Sequence, residues 1–382
     1  MPKKTNFEAN GSKYYRVTAT IGKNPDGSAK RKPFYGKSKK EAENKRDEYM
    51  ANIDRGLSVD FDKVVFRDIF KLWFDEVLKP TLAQSSIQRY ETDYRLRIKN
   101  CVLSDMKLTE IKSIHLQSYY NSIVEKYSAN TAHNTNKLIK NFFKYCVKDN
   151  MIIKNPLDAV TLPKTESKTG DNKVLSQQDI DTLIQASSAD GDLFIFVFAL
   201  FTGLRLGEIL ALTHNDIDFE NNIIKVSKSV TYLTIDGEYK PVVSTPKTNS
   251  SIRDVPILEQ LKAPLLRHIS NEKEKHFKLG VLFKNKNMLF SSEVCTYKDR
   301  QNVRKSLART QKRLGMQVTT FHALRHSFCT LLAQKGVPLK TASVLMGHSN
   351  ISVTAQIYTH VDNQELKKGI DKLSSLFDER TA

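Results

Sequence analysis

Four short segments in the second half of the sequence carry side chains that can bind a phosphate or move a proton. The first, 202–208, contains a glycine that can end one helix, so that Arg205 begins the next beside backbone N–H groups without helical partners. An anion can bind in such a place. Taken alone, however, Arg205 is more often expected to form an ordinary surface ion pair with Glu208.

The second segment, 320–326, has His322 and Arg325 three residues apart, which places both side chains on one face of a helix. Together they suit a phosphodiester, because a guanidinium binds two non-bridging oxygens and an imidazole moves a proton near neutral pH. A His-x-x-Arg pair alone is equally compatible with a structural histidine. His326 and Cys329 are expected to pack.

The third segment sets His348 ten residues before Tyr358, with Gly347 ending one helix and a short helix lying between the two side chains. A protonated tyrosine attacks phosphorus poorly, since its reference pKa is about 10, and it needs a base or nearby cations. The first two segments offer both. Alone, Tyr358 would be interpreted as a half-buried core residue.

The fourth segment, 245–256, is a polar stretch interpreted as a hairpin tip, and it carries Lys247 ahead of a predicted strand. A lysine at such a tip can reach DNA. Without the other three segments it would be a solvated loop lysine, as most lysines are.

In this order and at this spacing, the four segments together resemble the tyrosine recombinase, or phage integrase, family. The sequence has a Thr-Gly-x-Arg-x-x-Glu motif, the lysine, a His-x-Leu-Arg-His motif, Gly-His-Ser and the tyrosine. The resemblance covers 173–360 and is strongest to integrases of temperate phages and conjugative transposons. Met346 and Ala323 stand where the family often has Leu and Asp. The implied active site, with Glu208 as a supporting acid, is Arg205, Lys247, His322, Arg325, His348 and the nucleophile Tyr358.

The resemblance implies a transesterification of the type IB topoisomerase kind. Arg205 and Arg325 would neutralise the scissile phosphate and the charge that develops on it, and His348 would add a hydrogen bond. His322 would take the proton from Tyr358, and Lys247 would protonate the departing 5′-oxygen. The resulting 3′-phosphotyrosine keeps the energy of the broken bond, so a partner strand's 5′-hydroxyl can reverse the step without a cofactor or a metal.

Two such rounds would exchange strands through a Holliday junction and so integrate or excise a mobile element, such as a prophage or a conjugative transposon. The resemblance therefore implies a homotetramer on double-stranded attachment sites. An excisionase and a host DNA-bending protein are implied as further partners.

The sequence patterns around these residues predict a multidomain, mainly α-helical chain, whose helices and strands must position the site. Residues 1–56 predict a small β-sheet from strand formers at 14–20 and 31–35, joined by a Pro-Asp-Gly turn, and then a helix over 39–55 that a capping box begins. This stretch has 14 basic and 7 acidic residues, which favours DNA binding. The resemblance identifies it with the arm-binding domain of some integrases. Its candidate DNA contacts are Arg16, Lys30, Arg31 and Lys32.

Residues 64–160 predict an all-helical domain, which the resemblance identifies as core-binding. A first helix, apolar on one face, ends before Pro80, and Ser85 or Ser86 is expected to cap a second. Two further helices are predicted at 113–126 and 130–149. A linker is predicted at 161–173. The candidate DNA contacts are Arg89 and Arg95.

Residues 174–382 predict a mixed α+β catalytic domain. Helices are predicted at 177–188, 192–202 and 205–212, and strands at 223–226, 230–235 and 251–255. A basic helix supplies the candidate DNA contacts Arg300 and Arg304, although a solvated charged face is an equal alternative. Residues 363–377 have apolar side chains at helical spacing and are expected to form a helix that docks on a neighbouring subunit or, alternatively, on its own domain.

The composition favours a polyanionic partner, because 60 Lys+Arg against 42 Asp+Glu give a net charge of +18 over 382 residues. No apolar run reaches the roughly 18 residues of a membrane-spanning helix, and no secretory signal is recognised, so a cytoplasmic protein on the bacterial nucleoid is expected. The four scattered cysteines are expected to be reduced.

Three other functions are compatible with parts of this pattern. A type IB topoisomerase shares the chemistry, a chromosome-dimer resolvase shares the family, and a DNA-binding regulator could retain vestigial catalytic residues. The basic N-terminal stretch argues against the first, the length of the N-terminus against the second, and the complete set of site residues against the third.

Overall fold

The computed structural model describes residues 7–9, 12–23, 28–54, 64–165, 174–245, 251–280 and 287–358. By its internal contacts the chain divides into two compact units, Met1–Glu166 and Ser167–Ala382. Within the described ranges, no helix has both the length and the apolar character needed to cross a membrane.

The first unit begins with a three-stranded antiparallel sheet and one helix. The strands are β1 (Phe7–Ala9), β2 (Ser12–Lys23) and β3 (Ala29–Gly36), and they lie in the order β1-β2-β3. The helix is α1 (Lys39–Asp54). Ser38 caps α1 as predicted, because its Oγ accepts from the backbone N of Glu41, whereas the Glu41 carboxylate accepts from the backbone N of Lys37, one residue before the cap. The predicted sheet and helix are confirmed.

Over 64–165 the first unit is mainly helical, with α2 (Phe66–Trp73), α3 (Gln84–Asp93), α4 (Ser113–Lys126) and α5 (Ala129–Lys148). A π-helical turn continues α2 over Phe74–Leu78, and another continues α3 over Tyr94–Ile98. Aromatic side chains fill the core, and the rings of Phe70 and Phe142 have centroids 4.9 Å apart. The apolar face predicted for the first helix is therefore the core face.

The prediction that Ser85 or Ser86 caps the second helix is wrong. The N-cap is Ala83, which offers no side-chain oxygen, and the helix begins at Gln84. The preceding turn ends at Thr81 and the backbone is already extended at Leu82, so the chain re-enters the helix before it reaches the serines. Both serines consequently lie inside the first turn.

The second unit surrounds one apolar helix. Its helices are α6 (Gln177–Ala189), α7 (Phe194–Thr202), α8 (Leu206–Ala211), α9 (Glu259–Lys278), α10 (Arg300–Arg313), α11 (Phe321–Gln334), α12 (Leu339–Met346) and α13 (Ile351–Tyr358). Every residue of α7 except Phe201 is buried, and α7 packs against α6, α9 and α11. A helix that is apolar all round must lie inside a core, and this one holds the elements of the site around it.

Two small sheets accompany these helices. One has the order β4-β5-β8 and the other is a β6-β7 hairpin, with β4 (Ile217–Asp218), β5 (Ile223–Val226), β6 (Ser229–Ile235), β7 (Glu238–Ser244) and β8 (Arg253–Pro256). The sequence did not predict β7, because it contains Pro241 and is exposed along most of its length, so it shows no apolar alternation.

The interpretation of 245–256 as a hairpin tip is wrong, because β7, which precedes the segment, and β8, which ends it, pair in different sheets. The segment joins two sheets. Lys247 and the predicted docking helix at 363–377 lie outside the described residues, as does 166–173 of the predicted linker.

Candidate active site

Arg205 is positioned by the break between α7 and α8. Gly203 ends α7 with a φ of +62°, and a Cβ at that position would lie 2.2 Å from Cδ1 of Phe328, so glycine alone fits. Arg205 is then the N-cap of α8. Glu208 accepts from the backbone N of Arg205 at 3.0 Å and from its Nη1 at 2.9 Å. The expected ion pair therefore forms, but with a carboxylate that is only 3% exposed.

Arg325 lies on α11 and is 2% exposed. Its Nη1 donates to the carbonyl of Gly203 at 2.6 Å, so the buried guanidinium holds the turn that precedes Arg205. Burial, and next the charge of Arg205, lower the pKa of Arg325 to about 9. At neutral pH it still carries its positive charge.

The turn 345–347, which ends α12 just before His348, connects the site to three arginines. Each of its three backbone carbonyls accepts a hydrogen bond from a different guanidinium. The pairs are Arg253 Nε to Leu345 O (2.8 Å), Arg325 Nη2 to Met346 O, and Arg205 Nη2 to Gly347 O (3.0 Å). Cations at these carbonyls satisfy the unpaired acceptors of a helix C-terminus and complement its dipole.

Arg253 is a site residue that the sequence did not single out. Its side chain is 4% exposed, and its Nη2 lies 2.9 Å from Oε2 of Glu208. The available signal was strand alternation: Arg253 and Val255 are buried on β8 while Asp254 between them is exposed, so the arginine faces inward. Its partners could not be read from the sequence.

Glu208 thus lies between two guanidinium groups. Burial by itself raises the pKa of this carboxyl, but the charge and hydrogen bonds of Arg253, followed by those of Arg205, outweigh burial and hold the pKa below its usual value. The carboxylate is therefore ionised at neutral pH and shared by both arginines.

A pocket of about 610 Å³ opens at this cluster. Its cationic lining comes from Arg205, Arg300, Arg304 and Arg325, and His322 lines it as well. The remaining lining residues are apolar or carry hydroxyl groups, and none is acidic. Four guanidinium groups around one cavity without a lining carboxylate form a site for an anion.

The two predicted site histidines are neutral in this environment. Desolvation by surrounding protein, and then the charges of His326, Arg325 and Arg205, lower the pKa of His322 to about 4, although the residue is open to solvent on one side. Desolvation and the same two arginines lower the pKa of His348 to about 4 as well. Neutral imidazoles can accept a proton or a hydrogen bond at neutral pH.

His348 and His322 differ in their contacts. Nδ1 of His348 lies 2.7 Å from the hydroxyl of the buried Thr354, which fixes the orientation of the ring. The ring of His322 meets that of His326 edge to face, with centroids 4.5 Å apart. His326 is half-buried and Cys329 is buried, so both pack as expected.

Tyr358 ends α13 beside this cluster but does not line the pocket. Its ring packs against the buried side chains of Phe328, Cys329 and Met346. Its hydroxyl donates to the carbonyl of Val337 at 3.0 Å. Burial raises the pKa of Tyr358, which keeps the phenol protonated in this position. The structure thus brings together Arg205, His322, Arg325 and His348, and it holds the tyrosine at their side.

The candidate DNA contacts of the first unit lie on β2, β3, α3 and the π-helical turn that continues α3. Arg16, Arg31, Arg89 and Arg95 are exposed. Lys32 is half-buried, with its Nζ 4.0 Å from the centre of the Tyr49 ring. Lys30 lies on β3, but its side chain is outside the described part.

Comparison with known proteins gives matches along most of the chain. The model of the phage integrase family matches residues 173–365, and that of the phage integrase N-terminal SAM-like domain matches 65–124. A protein named tyrosine recombinase XerC-like from Caldanaerobacter subterraneus subsp. tengcongensis is 39% identical and covers 99% of this chain and 100% of its own length. The ICEBs1 integrase of Bacillus subtilis is 29% identical and covers 78% of each chain.

Solved structures show the same fold at lower identity. The integrase of transposon Tn1549, in complex with a circular intermediate DNA, superposes with a TM-score of 0.69 at 23% identity and covers 81% of this chain and 99% of its own. A lambda integrase dimer bound to a core site has a TM-score of 0.56 at 16% identity and covers 94% of this chain and 95% of its own.

The family match, the relative that spans the whole chain and the arrangement of the arginines lead to one conclusion. The chain belongs to the phage integrase family of tyrosine recombinases, site-specific enzymes that cleave and rejoin DNA.

Proposed function

We propose that this recombinase cleaves each strand through a 3′-phosphotyrosine on Tyr358 and exchanges strands through a Holliday junction. It thereby integrates and excises a mobile element, such as a prophage or a conjugative transposon. Relatives named ICEBs1 integrase and integrase of a staphylococcal phage support this kind of element, whereas the relative that matches 99% of the chain is named only XerC-like.

The observation that carries the proposal is the pocket that unites Arg205, His322 and Arg325 without an acidic lining residue. A phosphodiester placed there would have its non-bridging oxygens between two guanidinium groups. The positive charge is fixed before the reaction, because Arg205 and Arg325 are held by the turns that flank them. Such preorganised charge stabilises the extra negative charge that develops at phosphorus.

The proton transfers follow from the same arrangement. His322 is neutral and can take the proton from the Tyr358 hydroxyl, after which the phenolate oxygen attacks phosphorus. The bond from phosphorus to the 5′-oxygen breaks, and Lys247 gives its proton to that oxygen. His348, oriented by Thr354, donates a hydrogen bond to a non-bridging oxygen through Nε2. Rejoining reverses these steps with the partner strand's 5′-hydroxyl.

Tyr358 must move before it can react. In the structure its hydroxyl is occupied by the Val337 carbonyl, and the pKa of the phenol is raised. Cleavage therefore requires this hydrogen bond to be exchanged for contact with the phosphate and with His322. The short helix α13, which carries the tyrosine at its end, is the element that would shift.

The proposed organisation assigns arm-type DNA binding to 1–56, core binding to 64–160, a linker to 161–173, and catalysis with a docking helix to 174–382. We further propose a homotetramer on the attachment sites, assisted by an excisionase and a host DNA-bending protein. The proposed DNA contacts are Arg16, Lys30, Arg31, Lys32, Arg89, Arg95, Arg300 and Arg304.

Covalent capture tests the proposal. The full chain is incubated with a nicked duplex that carries the crossover sequence from the junction of its own genetic element, and adducts that survive SDS are counted. We expect an adduct with the unchanged chain and none with Tyr358→Phe, while the DNA affinity is kept. An adduct that persists in Tyr358→Phe would refute the assignment of the nucleophile.

A further inference from the structure

We infer that Arg253 is a positioning residue of the active site, which holds Arg205 and the turn 345–347 in the geometry that binds the scissile phosphate. This inference rests on the proposed function. Arg253 does not line the pocket, so it acts through other residues.

The contacts of Arg253 use its whole guanidinium group. Nε donates to Leu345 at 2.8 Å, Nη1 to the carbonyl of Ser251 at 3.1 Å, and Nη2 to Glu208 at 2.9 Å. A buried charge with every nitrogen engaged has one orientation. Arg253 therefore fixes the distances between the start of β8, the start of α8 and the end of α12.

The contact with Glu208 controls the charge at Arg205. Each carboxylate oxygen of Glu208 faces both arginines: Oε1 lies 2.9 Å from Arg205 Nη1 and 3.4 Å from Arg253 Nη1, and Oε2 binds the Arg205 backbone and Arg253 Nη2. With two guanidinium groups and one carboxylate, this trio has a net charge of +1. Without the Arg253 charge, Glu208 would neutralise Arg205 alone, and the pocket would lose attraction for phosphate.

The contact with the turn 345–347 controls the approach to His348. Gly347 has a φ of +62°, and a Cβ there would lie 2.7 Å from Nη1 of Arg253, so the guanidinium packs directly on the glycine backbone. The same turn accepts from Arg325 and Arg205. Arg253 thus completes a set of three arginines that fix the turn from which His348 projects.

The test is single-turnover cleavage by the full chain, with saturating nicked duplex that carries the crossover sequence. The amplitude of adduct formation reports the folded fraction, whereas the rate constant reports the geometry of the site. The variants are Arg253→Met, which keeps the length but removes the charge, and Arg253→Lys, which keeps the charge but has one donor nitrogen. Arg267→Met is the matched control, since it removes an exposed guanidinium from α9.

We expect Arg253→Met to lower the rate constant by about 100-fold, as when a preorganised charge is lost, and Arg253→Lys to lie between it and the unchanged chain. DNA affinity should change by less than about threefold, and Arg267→Met should match the unchanged chain. If Arg253→Met does not fold, Arg253→Lys supplies the rate constant. A rate constant within about twofold of the unchanged chain, with only the amplitude reduced, would overturn the inference.

A second substrate distinguishes this positioning role from a role in protonating the departing 5′-oxygen. A duplex with sulfur in place of the bridging 5′-oxygen releases a thiolate, which needs no proton. We expect Arg253→Met to cleave this sulfur-substituted duplex almost as slowly, relative to the unchanged chain, as it cleaves the ordinary duplex. If the sulfur restored the full rate constant, the inference would be overturned, because Arg253 would then act by supporting protonation of the leaving group by Lys247. If the unchanged chain forms no adduct with either substrate, the proposed function fails instead.

Discussion

Tyr358 and Val337 are joined by a hydrogen bond of 3.0 Å from the phenolic hydroxyl to the backbone carbonyl. Val337 lies between α11 and α12, so the proposed nucleophile is tied to the same pair of helices that presents Arg325 and the turn 345–347. We expect this conformation to stabilise the protein and, on the proposed mechanism, to delay attack, because the hydroxyl cannot bind the carbonyl and the phosphate at the same time.

Tyr358→Phe is therefore expected to lower the free energy of unfolding by about 1 kcal/mol, the usual contribution of one such hydrogen bond. Urea unfolding of the full chain measures it. Tyr232→Phe is the matched control, since the Tyr232 hydroxyl also donates to a carbonyl at 3.0 Å, that of Tyr297. Both variants should lose similar stability, but only Tyr358→Phe should lose the covalent adduct. Unchanged stability in Tyr358→Phe would show that the hydroxyl is not held by Val337 in solution.

Gly203→Ala is expected to destabilise the chain by more than about 3 kcal/mol, because strain at positive φ adds to overlap with the Phe328 ring. Thermal unfolding measures the effect. The control is Gly336→Ala, where φ is +71° and a Cβ would meet nothing within 4 Å, so it should cost about 1 kcal/mol. Equal losses in the two variants would mean that Phe328 can move aside.

The helices of the site could be predicted from the sequence, because glycines mark their ends. Gly203 and Gly347 both adopt a φ of +62° at the C-caps of α7 and α12, where L side chains are strained. The spacing of His322 and Arg325 likewise follows from one turn of α11. Local rules of this kind do not depend on the rest of the fold.

The contacts between these segments could not be predicted. Arg205 reaches the carbonyl of Gly347 across 142 residues, and Arg253 reaches that of Leu345 across 92. Backbone carbonyls are present at every position, so no residue type marks which of them will accept. The burial of Glu208 was missed for the same reason, since its second partner comes from a distant strand.

Arg300→Gln and Arg304→Gln are each expected to weaken binding to DNA of any sequence and to reduce the salt dependence of the affinity by about one counterion. Both arginines lie in the first part of α10 and line the pocket, and none of the residues that line this pocket is acidic. The control is Arg313→Gln on the last turn of the same helix, where the guanidinium lies 3.4 Å from Asp190. Affinity measured over a range of salt concentrations tests this, and unchanged slopes for all three would place α10 away from the DNA backbone.

Acid is expected to destabilise the chain before its carboxylates titrate. Burial first, and then nearby cations, lower the pKa of His322 and of His348 to about 4 in the folded chain, whereas an unfolded histidine has a pKa of about 6.5. Between those values the unfolded chain binds a proton that the folded chain does not. Stability is therefore highest above about pH 6.5 and falls as the pH drops towards 4.

The slope cannot exceed about 1.4 kcal/mol per pH unit for each histidine, and it is smaller for His322 because solvent reaches that ring. Urea unfolding at about pH 7 and about pH 5 measures it, since most carboxylates stay ionised across that interval. His348→Gln should reduce the slope but not abolish it, because a neutral amide can still face the Thr354 hydroxyl but binds no proton, while His322 and His214 still titrate. A slope that His348→Gln leaves unchanged would show that folding does not lower the pKa of this imidazole, and would contradict the burial and nearby cations as the cause that keeps it neutral beside a phosphate.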